Sequence, residues 1–360
     1  ISEGNETIRG NGAGSSAAWA AGGSNPPFTT ETQEWSAPSD FNQIQEGQLF
    51  FNSTANAFKE TITDIPGATW SSGGSLNTGR VQLPSFGDQE AAIIAGGYTT
   101  ALSNVVEQYN GSSWTEIAEI NDARSNEAGT GSGTTTAGLI YGGNTPGGTG
   151  NTESWNGSAW TEVSDLNGAR YSVSGVGTQT ASLAFGGRNP GTSPNPGDKD
   201  LAESWDGSSW TEVSELNTKR AGSGGVGQVY TAALCVGGYD TAATASSAKN
   251  EQWDGTSWTE LGDLNTARHN GLTRGGTSTL AIVAQGASTS PSQSYNVLTE
   301  SWNGTSWTEQ ADLSTGGYGG GGQGSVSATF VAGGEGSGST NLTRTEHWTA
   351  NLANKTIGSS

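Results

Sequence analysis

The stretch "ESWNGSAWTEVSDLNGAR", residues 153–170, returns almost unchanged as "ESWDGSSWTEVSELNTKR" at 203–220. A catalytic constellation is needed once, whereas a building block recurs, so this recurrence decides how the sequence is read. Taking the second tryptophan of each copy as an anchor gives Trp70, Trp114, Trp160, Trp210, Trp258 and Trp307, spaced by 44, 46, 50, 48 and 49 residues. Ten residues beyond five of them stands an arginine, Arg80, Arg124, Arg170, Arg220 and Arg268, and the sixth such place holds Gly317. Each is followed by a small-residue segment and an apolar run ending in Gly-Gly, as in "AGLIYGG" and "AALCVGG", with one copy departing as "AIVAQG". A loop of variable length and a Glu-x-Trp or Glu-x-Tyr segment complete the unit.

Gly, Ser, Thr and Asn fill the chain, with 58 glycines and no Met, so no helical period of 3.6 is sustained. Each unit reads as four short antiparallel strands. Asn110-Gly111, Asn156-Gly157, Asp206-Gly207, Asp254-Gly255 and Asn303-Gly304 lie between paired aromatics, the pattern of a two-residue type I′ hairpin turn. A four-stranded sheet buries both faces only against neighbours, and radial stacking supplies them. The chain is therefore expected to be all-β, a propeller with four antiparallel strands per blade.

The stretch beginning "RGNGAGSSAAWAAGG" and ending "TQEW", residues 9–35, is a further copy. Segments running from the arginine position to the aromatic then begin at Arg9, Arg80, Arg124, Arg170, Arg220, Arg268 and Gly317, which predicts seven blades, six or eight being the alternatives. One propeller domain spans 1–360, and the missing initiator Met points to a longer product. The closing outer strand is expected from "KTIGSS" at 355–360, with "ISEGN" at 1–5 as the alternative. Between Trp35 and Trp70 the spacer expands. There "GQLFFNSTANAFKETI" reads as a hairpin inserted within the first blade, the segment 36–66, and presents Phe50, Phe51 and Phe58 either to a neighbouring protein or to itself.

A formal charge of −20 with only 14 Lys plus Arg leaves no clustered cations for a phosphate backbone, which argues against nucleic acid. It permits Ca²⁺ without specifying a site, and no other cofactor is expected. No apolar run is long enough for membrane insertion. The single cysteine, Cys235 in "YTAALCVGG", reads as a small buried hydrophobe.

The apparent motifs belong to the repeat. Glu153, Glu203, Glu251 and Glu300 recur beside Trp155, Trp205, Trp253 and Trp302, so pairing with a repeat arginine or capping a turn explains them better than acid catalysis. "SWDGSSW" is similar to a sialidase Asp box but one residue short, and such a box is itself a structural turn. A galactose-oxidase copper site needs two His and two Tyr, whereas His269 and His347 occupy framework positions here. Sequons at Asn110, Asn156 and Asn303 alternate with Asp206 and Asp254, so it is the turn that is kept. No enzyme is expected.

Function is expected in the loops joining strands two and three, which vary in length and are rich in Ser, Thr, Asn and Tyr. Candidate ligand contacts are Tyr98, Arg188, Asp198, Lys199, Tyr239 and Tyr295.

The order of a Gly-rich strand, an apolar strand ending in Gly-Gly, a Glu-x-Trp/Tyr strand and a Trp strand resembles the kelch repeat. "EGQLFFNSTANAFKE" at 46–60 with "TWSSGGSLNTGR" at 69–80 further resembles kelch-like virion proteins of marine tailed bacteriophages. That resemblance implies a protein on the virion exterior, in a tail-fibre or receptor-binding position, assembled in several copies with other virion proteins. It implies recognition of a host-surface glycan through the loops. A structural or decorating virion protein without a ligand is the alternative, and an extracellular propeller enzyme or a cellular kelch interaction protein comes third.

Overall fold

A computed structural model gives the structure, which describes residues 9–14, 17–23, 29–36, 47–52, 57–145, 148–189, 197–270, 273–289 and 294–356, those of 9–36, 50–57, 273 and 354–356 in backbone only. The chain forms two compact units, Asp64–Asn351 and Ile1–Thr63 with Leu352–Ser360, in place of the single domain expected.

The larger unit is a propeller of six blades. Blade 3 shows the pattern: an inner strand Ser174–Thr178, then Ala181–Phe185, Ala202–Trp205 and an outer strand Trp210–Val213, paired antiparallel in that order. Blades 1, 2, 4 and 5 repeat it over 85–117, 128–163, 224–260 and 273–309. Blade 6 is assembled from both ends of the unit. Gly321 and Gly324 bridge to Ala328–Ala332, which pairs with Thr345–Thr349, whose outer partner is Thr69–Ser72. Trp70 thus lies opposite Trp348 and closes the ring, a role expected of the terminal segments.

Seven blades become six for the same reason. The strand that would complete the N-terminal copy is the strand that closes the ring. That copy instead forms a three-stranded sheet of its own, Arg9–Gly14, Ala17–Gly23 and Thr29–Ser36, in the smaller unit. The expected hairpin exists, Leu49–Asn52 against Ala57–Thr63, but Leu352–Thr356 joins it as a third strand, and it is no part of a blade. Phe58 is exposed there, while the side chains of Phe50 and Phe51 lie outside the described residues.

Apolar wedges fill the gaps between blades. Between blades 3 and 4, Leu183 and Phe185 meet Cys235, Trp253 and Trp258, with Phe185 edge-on to Trp258 at 5.0 Å. Cys235 is fully buried, as its sequence context predicted. Burying one such indole is worth up to about 5 kcal/mol. The anchor tryptophans also reach across the gap: Trp210 Nε1 donates to Thr152 Oγ1 (3.1 Å), Trp258 to Ser214 O (3.1 Å), and Trp114 closes the circle onto Thr345 Oγ1 (2.9 Å).

The hairpin tips are not two-residue turns. Tyr109 pairs with Trp114 around a four-residue loop in which Asn110 N donates to Ser113 O (3.2 Å). Asn110 Oδ1 accepts from Ser112 N and Ser113 N, so among these loop residues only Gly111 needs a positive φ, 89°. An Asp serves equally well. Hydrogen bonds from the Ser208 hydroxyl and the Ser208 and Ser209 amides hold Asp206 down to about 2.

The arginine at each blade entrance is the interior fastening. Arg80 Nη2 donates to Glu107 Oε1 (2.8 Å), Nη1 to Gly96 O (2.8 Å) and Val105 O (2.5 Å), and Glu107 Oε2 accepts from Asn77 N and Nδ2 (both 2.8 Å). Arg124–Glu153, Arg170–Glu203, Arg220–Glu251 and Arg268–Glu300 repeat the pair, all buried. In blade 6 Gly317 offers no side chain, and Arg344 supplies the guanidinium to Glu346 (2.9 Å) from two residues upstream. A Cβ on Gly317 would lie 2.9 Å from Arg344 Nη2, so the two positions compete for one space.

Removing one partner of a buried pair strands the other, so Arg220→Ala is expected to cost about 3–5 kcal/mol in denaturant unfolding. Arg344→Ala is expected to destabilise blade 6, and adding Gly317→Arg to it to recover most of the loss. Gly317→Arg alone should destabilise.

Candidate functional site

The loops joining strands two and three share one face with the blade entrances, because the residue after each arginine position bridges to the residue after the glycine pair: Val81 to Tyr98, Tyr171 to Arg188, Ala221 to Tyr239, Tyr318 to Glu335. One residue further on, each blade turns toward the axis in a left-handed conformation. Gln82, Asn126, Ser172, Gly222, Asn270 and Gly319 have φ of 64°, 59°, 54°, 62°, 56° and 67°. That conformation costs a non-glycine residue of order 1 kcal/mol, and here it aims each backbone N–H at the preceding blade. Asn126 N donates to Gln82 O (3.1 Å), Ser172 N to Asn126 O (2.7 Å), Gly222 N to Ser172 O (2.8 Å), Asn270 N to Gly222 O (2.7 Å), Gly319 N to Asn270 O (3.2 Å) and Gln82 N to Gly319 O (2.5 Å). Six backbone hydrogen bonds form a closed circle at the channel mouth.

Inside this circle lies a cavity of about 60 Å³, lined by Asn126, Glu127, Ser172, Ser223, Asn270 and Arg274 among others. Glu127 stands where Leu83 and Val173 stand in blades 1 and 3, is 6% exposed, and neither carboxyl oxygen has a partner among the described residues. Burial, opposed mainly by the charge of Arg124, pushes it up to about 8.

A groove of about 460 Å³ opens beside the circle and shares Gln82 and Asn126 with the cavity. Its walls are Tyr98 and Leu102 of blade 1, Asn144 and Thr145 of blade 2, and Tyr318 and Glu335 of blade 6. Tyr295 stacks on Tyr318 (5.3 Å, 13°), and both hydroxyls donate to Glu335, at 3.3 Å each. Burial first, and then the Glu335 charge, push Tyr318 up to about 12. Aromatic faces bordered by amides, a carboxylate and hydroxyls match a sugar ring, with its apolar faces and polar rim.

Of the sequence candidates, Tyr98 lines this groove, Tyr295 stands behind it against Tyr318, and the others lie elsewhere. Tyr239 packs at a tilt against His269 (5.0 Å, 56°), whose Nδ1 lies 2.8 Å from Ser246 Oγ. Burial holds His269 down to about 4, so it is neutral at physiological pH. Ser246 Oγ is also engaged by Thr289 N and Oγ1, which makes this pair a loop fastening. Arg188 pairs with Asp198 at 4.0 Å, Asp198 Oδ2 accepts from Thr241 N (2.5 Å), and Lys199 is buried. Residues 190–196 of that loop lie outside the described residues. Among the described residues no group of three or more His, Cys, Asp or Glu side chains could hold a metal ion, and no helix is long and apolar enough to cross a membrane.

Tyr318, Glu335, Gln82, Asn144, Glu127 and Arg274 were not singled out from sequence. Glu127 did carry a signal, an acid where two other copies have Leu83 and Val173.

No protein-family model and no curated protein sequence matches the chain. Among solved structures the fold resembles that of YjhT, with a TM-score of 0.66 at 14% identity over 78% of this chain and 99% of that one. Likeness at this identity shows the fold alone.

The environment of Glu127 predicts a pH-dependent cost. An acid held protonated in the fold but ionised at about 4.5 in the unfolded chain destabilises the fold progressively as pH rises from there toward 8, on the order of 3 kcal/mol at pH 7. Glu127→Leu is therefore expected to raise the melting temperature, with a gain that grows from pH 4 to pH 8 and then levels. A gain independent of pH would show that the carboxyl is already solvated.

Proposed function

We propose that this chain is a non-catalytic, kelch-type binding propeller, displayed on a tailed-phage virion, that recognises a host-surface glycan through its loop face. The groove between Tyr98 and Tyr318 carries the reading: two aromatic walls from blades 1 and 6, with Gln82, Asn126, Asn144 and Glu335 around them, form one concave site. The strand order of the units supports the kelch assignment, and the segments 46–60 and 69–80 support the phage source. Weak binding per propeller suits display in several copies, where effective concentration multiplies affinity.

A second reading, a structural virion component without a ligand, is favoured by a different observation. Val229, Tyr230 and Leu280 are exposed apolar residues at adjoining inner-hairpin tips of blades 4 and 5, a surface suited to packing against another protein.

A glycan array followed by calorimetry on the strongest hit separates the two. The expected result is saturable binding that Tyr98→Ala and Tyr318→Ala each weaken by about tenfold with the fold intact, the worth of one aromatic platform. Absence of binding to any glycan by folded, multimerised protein would favour the structural reading.

A further inference from the structure

The axis of the ring holds a cation with no counter-charge. Arg274 lies on the inner strand Thr273–Gly276 of blade 5, half-buried, and lines the 60 Å³ cavity. Its Nε donates to Gln323 Oε1 (3.3 Å), and among the described residues no carboxylate lies within salt-bridge distance of its guanidinium. Every other arginine whose side chain is described has such a partner: Arg80, Arg124, Arg170, Arg188, Arg220, Arg268 and Arg344. In a chain with 34 acidic and 14 basic residues, an arginine without a carboxylate is what the composition supplies least readily.

The rest of the lining includes neutral polar groups. Glu127 of blade 2 also borders the cavity, but its Oε1 lies beside Gly96 and Ile120, so the carboxyl turns away from the axis into the wedge between blades 1 and 2. Asn126, Asn270 and Ser172 add amide and hydroxyl groups around this space. The volume admits a small polyatomic ion.

We propose that the axial cavity is a binding site for an oxyanion of the carboxylate or sulfate class, with Arg274 as its charged anchor. The guanidinium offers the planar fork of N–H groups that suits two oxygens at once. The chain's negative charge is screened beyond about 8 Å at physiological salt, so this local cation governs the cavity. The site stands independently of whether the groove binds sugar.

The test is titration of the whole chain with sodium acetate and with sodium sulfate, against sodium chloride at matched ionic strength, following the arginine Nε–H resonances by NMR. The expected result is a saturable shift of the Arg274 resonance with at least one of the two anions. The anion that acts identifies the class. The expected affinity loss, read from protection against thermal unfolding, is about tenfold or more in Arg274→Gln, partial in Arg274→Lys, and absent in Tyr98→Ala, which alters only the groove. No saturation of the wild-type Arg274 resonance by either anion overturns the proposal, as does equal protection of Arg274→Gln. Should Arg274→Gln fail to fold, the same comparison is made with Arg274→Lys, where unchanged affinity for both anions overturns it.

Discussion

A buried guanidinium at the entrance of each blade, held to a carboxylate on that blade's third strand, is the interaction on which the propeller depends. The connection between blades carries both the Asn and the Arg that saturate this carboxylate, so the chain cannot leave one blade without being fixed to the next. A charge in such a place is tolerated only when every oxygen has a donor. The repeat therefore keeps Leu/Ile-Asn-x-x-Arg and Glu-x-Trp/Tyr together, even though they stand about thirty residues apart. Blade 6 shows that the requirement lies on the guanidinium and not on its address. Arg344 fills the space that Gly317 leaves, and the pair survives by a different route.

Much of this was legible because repetition turns weak local signals into strong ones. Glu153 beside Trp155 means little once, but in successive copies it marks a framework pair. The blade count was misread because the N-terminal copy at 9–35 has the same local pattern as the others, while ring membership is decided by which strand pairs with Thr345–Thr349. That pairing joins residues almost 280 positions apart, and no local pattern encodes it. The hairpin tips were misread for a smaller reason. Asn-Gly is compatible with a two-residue loop, but a following Ser or Thr and a further residue whose amides reach the Asn or Asp oxygen favour four.

The candidate site was only partly legible, for a geometric reason. Tyr98 and Tyr295 were visible as aromatics in variable loops, yet the partner that makes a groove of Tyr98 is Tyr318, which sits in a blade entrance where repeat logic predicts framework. Arg274 looks like an isolated irregularity of one inner strand until the six blades converge on the axis. The propeller concentrates its exceptions at the axis, because there one residue from every blade comes close to one from every other. Regular positions fasten the wheel and irregular ones give it chemistry.

The central claim, a six-bladed ring closed by Thr69–Ser72, is tested most directly by hydrogen exchange at the six axial amides of Gln82, Asn126, Ser172, Gly222, Asn270 and Gly319. A closed circle predicts that all six exchange slowly and at similar rates, since none opens without its neighbours. Fast exchange at Gln82, whose amide joins blade 1 to blade 6, with protection retained at Ser172 and Gly222, would mean an open ring and contradict the account.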